Sequence, residues 1–260
     1  RLLHRFGLWA SSAVVFQYTK APEEIFGVEL AHRYQQKFHT IIPGTHLQAL
    51  QPFSRNMSPP ERKSNSPFVI LQVGTLCERK NQKLILEALA RLPDAKSSQK
   101  LEVWFAGGLT DEDYVAEIEG CIRAHGLQDT VKLLGWRTDV HELMAKADLL
   151  LMPSTDEGVP NTVQEAMYIG LPVLVSDAGG MPEIVNHGET GWVLPIDDSE
   201  QWAKRVESCI QNEAASHTIA QAASEYAARH FGTTEWGARY FNVMEKVSRA
   251  HHHSVAGKRQ

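Results

Sequence analysis

The strongest constraint on this chain is a rhythm that holds from Phe68 to about Arg229, where short apolar, β-branched runs alternate with longer amphipathic stretches. The runs lie at 68–73, 101–106, 131–134, 149–152, 172–175 and 191–194. Helical periodicity falls between them near 81–92, 111–125, 140–146 and 161–169. A strand buried on both faces reads as a continuous apolar run, and Leu149-Leu150-Leu151-Met152 reads that way. Right-handed crossovers between such strands place helices on both faces of one parallel sheet. The expected fold class is α/β, a Rossmann-like parallel sheet with helices on both faces, over residues 67–230.

The flanks read differently. Residues 13–16 suit one strand, 21–38 a helix with Pro22 in its first turn, and Ile41-Ile42-Pro43-Gly44 a strand end and turn. Residues 51–66, with Pro52, Pro59 and Pro60, have the composition of an exposed linker. One strand with flanking helices cannot bury its own faces. Residues 1–66 are therefore expected to be the end of an N-terminal domain, largely missing from this chain, plus the linker. A helical stretch runs from Trp202 through Arg229, and residues 231–260 are expected to form a C-terminal helix returning to that domain, then a tail. Leu2, Leu3, Phe6, Leu8 and Trp9, with Arg1 and Arg5, fit a basic helix on a membrane surface. A buried helix whose partner domain is missing explains them too; we prefer that reading and leave peripheral membrane association open.

Composition works here by exclusion. The formal net charge of −5 supplies no positive field for nucleic acid, so any phosphate must be caught locally. Cys77, Cys121 and Cys209 are widely spaced and include no C-x-x-C pair, which argues against a zinc site or disulfide framework and suits a reduced, cytoplasmic chain. No apolar run approaches the roughly 18 residues needed to cross a bilayer. His251–His253 reads as a solvated tail rather than a metal cluster. No G-x-G-x-x-G follows a strand, against a dinucleotide-dependent oxidoreductase.

The chemistry-bearing stretch is Pro153-Ser-Thr-Asp-Glu157-Gly158-Val159-Pro160-Asn161-Thr162-Val-Gln-Glu165, closed by Gly170 and Pro172. It places Glu157 on a loop at the carboxyl end of a strand, where ligands of open α/β sheets bind. Asn161 is the expected N-cap, and N–H groups at 161–163 are available to a phosphate at the positive end of the helix. Taken by itself, Glu-x7-Glu is only a loop carboxylate and a carboxylate in the early turns of a helix. Asp111-Glu112-Asp113 opens another helix and is expected to cap it rather than to hold a metal.

The surroundings of Glu157 and Glu165 change that reading. The stretch resembles the Glu-x7-Glu motif of the retaining glycosyltransferase family 4, in a Glu-Gly-x-Pro-Asn form. Val73-Gly74-Thr75-Leu-Cys-Glu-Arg79-Lys80-Asn81 resembles that family's first donor-domain strand and phosphate loop. Phe105-Ala-Gly107-Gly108, Gly135-Trp136-Arg137, Gly179-Gly180 and Pro182-Glu183 follow in the family's order. The resemblance implies the C-terminal, donor-binding half of a GT-B fold. It implies retaining transfer of a glycosyl group, of hexosyl type, from a nucleoside-diphosphate sugar. The acceptor would be a glycan or lipid-linked molecule of polysaccharide or glycolipid biosynthesis, bound through the missing N-terminal domain.

By position, Glu157 and Lys80 are then the catalytic groups, Glu157 contacting hydroxyls of the transferred sugar and Lys80 the diphosphate. Donor binding falls to Glu165 on the ribose, Trp136 and Arg137 at the base, and Gly74, Thr75, Arg79, Gly158, Val159, Asn161 and Thr162. No cofactor or metal is implied. Thr75 departs from the family, which often has Arg there, and a regular loop would turn the neighbouring Arg79 away from the site. A binding subunit or fragment without turnover of its own is the alternative.

Overall fold

The computed structural model describes residues 7–55, 66–92 and 100–257. Strands β1 (Val14–Phe16) and β2 (Phe38–Thr40) pair in parallel, with Val14 opposite Phe38, as a small separate sheet. The strand at 13–16 therefore has a partner, which the sequence reading did not foresee. The helix expected over 21–38 is instead two, Ala21–Phe26 and Val28–Tyr34, broken at Gly27 with φ +82°. That break lets the chain fold back so that Phe16, Phe26 and Phe38 pack ring on ring, with centroids 5.0–6.1 Å apart. Three aromatic rings on one another outweigh the propensity for a single long helix.

The expected linker, 51–66, starts inside a 3-10 segment, Leu47–Phe53, and its residues 56–65 lie outside the described residues. Of the amphipathic pattern at 1–9, residues 1–6 also lie outside them. Leu8 is buried, and Lys37 Nζ donates to the carbonyls of Leu8, Trp9 and Ser11 at 2.8–3.1 Å, closing the short helical turn that ends at Ala10.

Six strands build the main sheet: β3 (Phe68–Val73), β4 (Leu101–Ala106), β5 (Val131–Gly135), β6 (Leu149–Met152), β7 (Val173–Ser176) and β8 (Trp192–Leu194). All pair in parallel, in the order β5-β4-β3-β6-β7-β8. Side chains alternate between faces along each strand. Leu71, Leu150, Met152, Val173 and Val175 enter the core under the helices Val140–Lys146, Asn161–Ile169 and Glu213–His230. Ile70, Leu149, Leu151 and Leu174 enter the opposite core, under Gln82–Ala90, Glu112–Ala124 and Ser199–Gln211. Neither face meets water, which is why β6 carries no polar residue.

The helical stretch from Trp202 to Arg229 divides at Asn212, whose side chain accepts the Ala215 N–H at 3.1 Å and starts a second helix. The C-terminal helix spans Thr233–Gly257. Side chains from residue 250 onward, His251–His253 among them, lie outside those described. None of the described helices is long and apolar enough to cross a membrane.

The strand order fixes where a ligand can go. β3 is flanked by β4 and β6, so the loops leaving β3 and β6 diverge and open a crevice at their carboxyl ends. Residues 74–80 and 153–160 are those two loops.

Candidate functional site

The loop after β3 is held from below. Gln72 and Gln82 are fully buried, and their amide nitrogens donate to Lys80 O at 2.9 Å and Thr75 O at 3.3 Å. A Cβ at Gly107 would lie 2.0 Å from Gly74 O, so only glycine allows the turn after β4 to touch this loop. Leu76 N–H donates to Gly108 O at 2.9 Å, and Thr75 faces Gly108. The 3-10 turn Glu78–Lys80 then ends at Asn81, which has φ +51°. Asn is among the few side chains that tolerate that left-handed conformation.

Lys80 projects from this loop onto the next. Its Nζ pairs with Glu157 Oε1, and Arg79 reaches the same oxygen at 2.9 Å. Lys80 and Glu157 side chains are each 13% exposed, and Arg79 is 49% exposed. Arg79 also donates to Asp156 O at 2.9 Å and accepts the Thr155 N–H on its carbonyl at 2.9 Å. Arg79 does not turn away as it would from a regular loop: bonds from its guanidinium and its carbonyl tie it to the loop after β6. Beneath Glu157 lies Gly179, φ +57°, where a Cβ would stand 1.7 Å from Glu157 O. Gly180 N–H donates to Gly158 O at 2.9 Å, so the Gly-Gly pair is the floor under the Glu157 loop.

The helix that follows starts one residue differently from expectation. Pro160 is its N-cap and Asn161 its first residue, with no side-chain cap, because the proline ring carries no acceptor. Val163 N–H bonds back to Pro160 O at 3.1 Å. Among the described residues this leaves the N–H groups of Asn161 and Thr162 without an acceptor, at the positive end of the helix dipole. Val159 N–H, by contrast, donates to Gln17 Oε1 at 3.3 Å.

Gln17 follows β1, so the N-terminal segment reaches the site directly. Thr19 N–H donates to Glu183 at 2.5 Å beside it. Burial, then hydrogen bonding to Glu24 and the nearby carboxylates, pushes the Tyr18 phenol up to about 12, so it stays protonated and donates to Glu24.

Glu165 sits further along the same helix, with Oε2 3.1 Å from His141 Nε2. Trp136 and Arg137 leave β5 at the far side of the sheet edge. Trp136 is 79% exposed, and Arg137 pairs with Asp139 at 2.6 Å while lining a shallow cavity with Trp104, Lys132, Leu134 and Leu143. Asp111 accepts the Tyr114 N–H at 3.1 Å, as expected of a helix cap. Among the described residues, no group of three or more His, Cys, Asp or Glu side chains is arranged to hold a metal.

The fold thus joins Arg79 and Lys80, on the loop of Gly74 and Thr75, to Glu157, with Gly158, Val159, Asn161 and Thr162 following Glu157 in the same loop and helix start. Glu165 meets His141 further along the same helix, and Trp136 and Arg137 follow the edge strand β5. Sequence reading missed His141, Gln17, Gln72 and Gln82. Gln72 and Gln82 carried a signal, since a polar residue in an apolar strand or helix face needs a buried partner. His141 and Gln17 carried none, because their partners are 24 and 142 residues away.

The family model described as "Glycosyl transferases group 1" matches residues 54–226. The chain is 30% identical over 158 residues to the amylovoran biosynthesis glycosyltransferase AmsK of Erwinia amylovora, covering 58% of this chain and 38% of that protein. It is 23% identical over 243 residues to N-acetyl-alpha-D-glucosaminyl L-malate synthase of Bacillus anthracis, covering 86% of this chain and 62% of that one. The solved Anabaena Alr3699/HepE in complex with UDP and glucose superposes with a TM-score of 0.78 at 23% identity, over 95% of this chain and 66% of that one. The C-terminal domain of LpcC from Francisella tularensis gives 0.61 at 19%, over 73% of this chain and 99% of that domain. At these identities the solved structures speak for the fold.

Proposed function

The chain belongs to the glycosyl transferases group 1 family, and on that premise we propose that it binds a nucleoside-diphosphate sugar and transfers the sugar to a glycan or lipid-linked acceptor with retention, in the manner of glycosyltransferase family 4. The observation that carries this is the convergence of Lys80, Arg79 and Glu157 at the switch point of the sheet, on the loop that leads into the helix beginning at Asn161 and Thr162. Two cations and a helix N-terminus suit a diphosphate, and a carboxylate beside them suits sugar hydroxyls.

In this reading Lys80 and the two N–H groups hold the diphosphate, Glu157 the transferred sugar, Glu165 the ribose, and Trp136 with Arg137 the base. The bond from the anomeric carbon to the phosphate oxygen breaks as the acceptor hydroxyl oxygen bonds to that carbon, and the hydroxyl proton passes to the departing diphosphate. Positive charge grows on the sugar ring, and negative charge on the leaving diphosphate. Lys80 and the helix N-terminus stabilise the latter. No protein nucleophile is required. The free thiols of Cys77, Cys121 and Cys209 support a cytoplasmic setting, including the cytoplasmic face of a membrane.

A second reading is donor binding without independent turnover; the matched region spans 38% of AmsK. Calorimetry of the 260-residue chain with UDP, GDP and ADP, with and without EDTA, tests the donor site. Binding that survives EDTA is expected, since Asp111 is engaged in capping its helix. Failure of all three nucleotides to bind would reject the proposal. Transfer from labelled nucleotide sugars by this chain alone, with anomeric NMR of the product, would reject the second reading and report retention.

A further inference from the structure

The geometry points to His141 as the residue that positions Glu165 for the ribose of a nucleoside diphosphate. This rests on the donor reading above, which gives Glu165 its ligand; what is added is the group that fixes that carboxylate. Glu165 lies on the Asn161–Ile169 helix, past the reach of its N-terminal N–H groups, with its side chain 21% exposed. Its Oε2 is 3.1 Å from His141 Nε2, on the Val140–Lys146 helix. Among the described residues Oε1 has no partner, which leaves it to accept from a ribose hydroxyl.

His141 is itself held in place. The Phe53 ring lies 5.7 Å from the imidazole, tilted by 43°. Phe53 closes the 3-10 segment Leu47–Phe53, which packs against both helices. A ring braced from one side and bonded from the other has few rotamers left, so the carboxylate it grips is fixed before any ligand arrives. The contact also joins two crossovers: the helix after β5, which follows Trp136 and Arg137, and the helix after β6, which follows Glu157. His141 therefore ties the orientation of the ribose group to the base side of the crevice. It touches no ligand in this account and acts only through Glu165.

The test uses the 260-residue chain as wild type, His141→Leu, His141→Gln and Glu165→Gln, with calorimetry. UDP, GDP and ADP are screened first. The tightest is then compared with its 2′-deoxy counterpart and with inorganic pyrophosphate. Wild type is expected to prefer the ribose form. In His141→Leu that preference should fall about tenfold, towards the value in Glu165→Gln, because a charged hydrogen bond is no longer aimed. Pyrophosphate affinity should stay at the wild-type value, which a general disturbance of the site would not allow. His141→Gln places an amide N–H near the Nε2 position and should restore most of the preference. If wild type and His141→Leu prefer the ribose form equally, the positioning role is overturned while the donor reading stands. If His141→Leu weakens pyrophosphate as much as the nucleotide, the role is again overturned, in favour of a structural one. If wild type binds none of the three nucleotides, the donor reading fails and this inference with it.

Discussion

Glu157 holds both Lys80 and Arg79 on a single oxygen, so a diphosphate that binds Lys80 must compete with that carboxylate. From sequence, Glu157 reads as a sugar contact that leaves the free diphosphate unaffected; the ion pair changes that expectation. Glu157→Gln removes the competing charge and leaves the largely enclosed Lys80 and the half-exposed Arg79 uncompensated. Nucleoside-diphosphate affinity should rise by about three- to tenfold, and stability should fall by roughly 1 kcal/mol. Calorimetry and urea unfolding read the two effects, and unchanged or weaker nucleotide binding would show that Glu157 is no competitor. Lys80→Met should do the opposite to binding, with a loss of about tenfold or more for a charge-assisted contact. Asn81 is legible in the same way once its φ of +51° is known. Asn81→Gly should be nearly neutral, whereas Asn81→Val should cost ~1–2 kcal/mol in urea unfolding, since a β-branched side chain resists that conformation.

The strands and helices of the main sheet were readable because each carries its own period. β3, β4 and β6 and the helices Val140–Lys146 and Asn161–Ile169 stand where the pattern put them. Where elements departed from expectation, the cause was a contact outside the window. The three-phenylalanine cluster bends the chain at Gly27; the exception is the helix after β8, which divides at a local cap, Asn212 accepting from Ala215. The loops between elements depend on close approach, and that yields a sharp test. Gly179→Ala would put a methyl group 1.7 Å from Glu157 O at a left-handed φ. The Glu157 loop must then move, so nucleotide-sugar binding should be lost and stability should fall by about 1–3 kcal/mol. A Gly179→Ala protein that melts and binds like wild type would show that the floor under Glu157 yields freely. Asp111→Ala should cost only ~1 kcal/mol, the worth of a helix cap, and leave binding untouched.

Across the whole molecule, the Thr233–Gly257 helix leaves an apolar face uncovered, with Trp236, Tyr240, Phe241 and Met244 all exposed. Contiguous apolar surface of this kind drives association. Light scattering should show concentration-dependent self-association, relieved in Phe241→Ser/Met244→Ser with an unchanged melting temperature; a wild-type monomer at all concentrations would rule this out. The sequence by itself determined the main sheet, its crossovers and the placing of Glu157 and Lys80 on loops. Burial on two faces and helical amphipathicity are local, periodic properties written residue by residue. It also determined the Glu165 helix and its end at Gly170. Only the tertiary structure decided the β1–β2 pairing, the grip of His141 on Glu165, the turn of Arg79 into the site and the reach of Gln17 to Val159. Each of these joins residues far apart in the chain through a few directional contacts, and a few directional contacts leave no period behind.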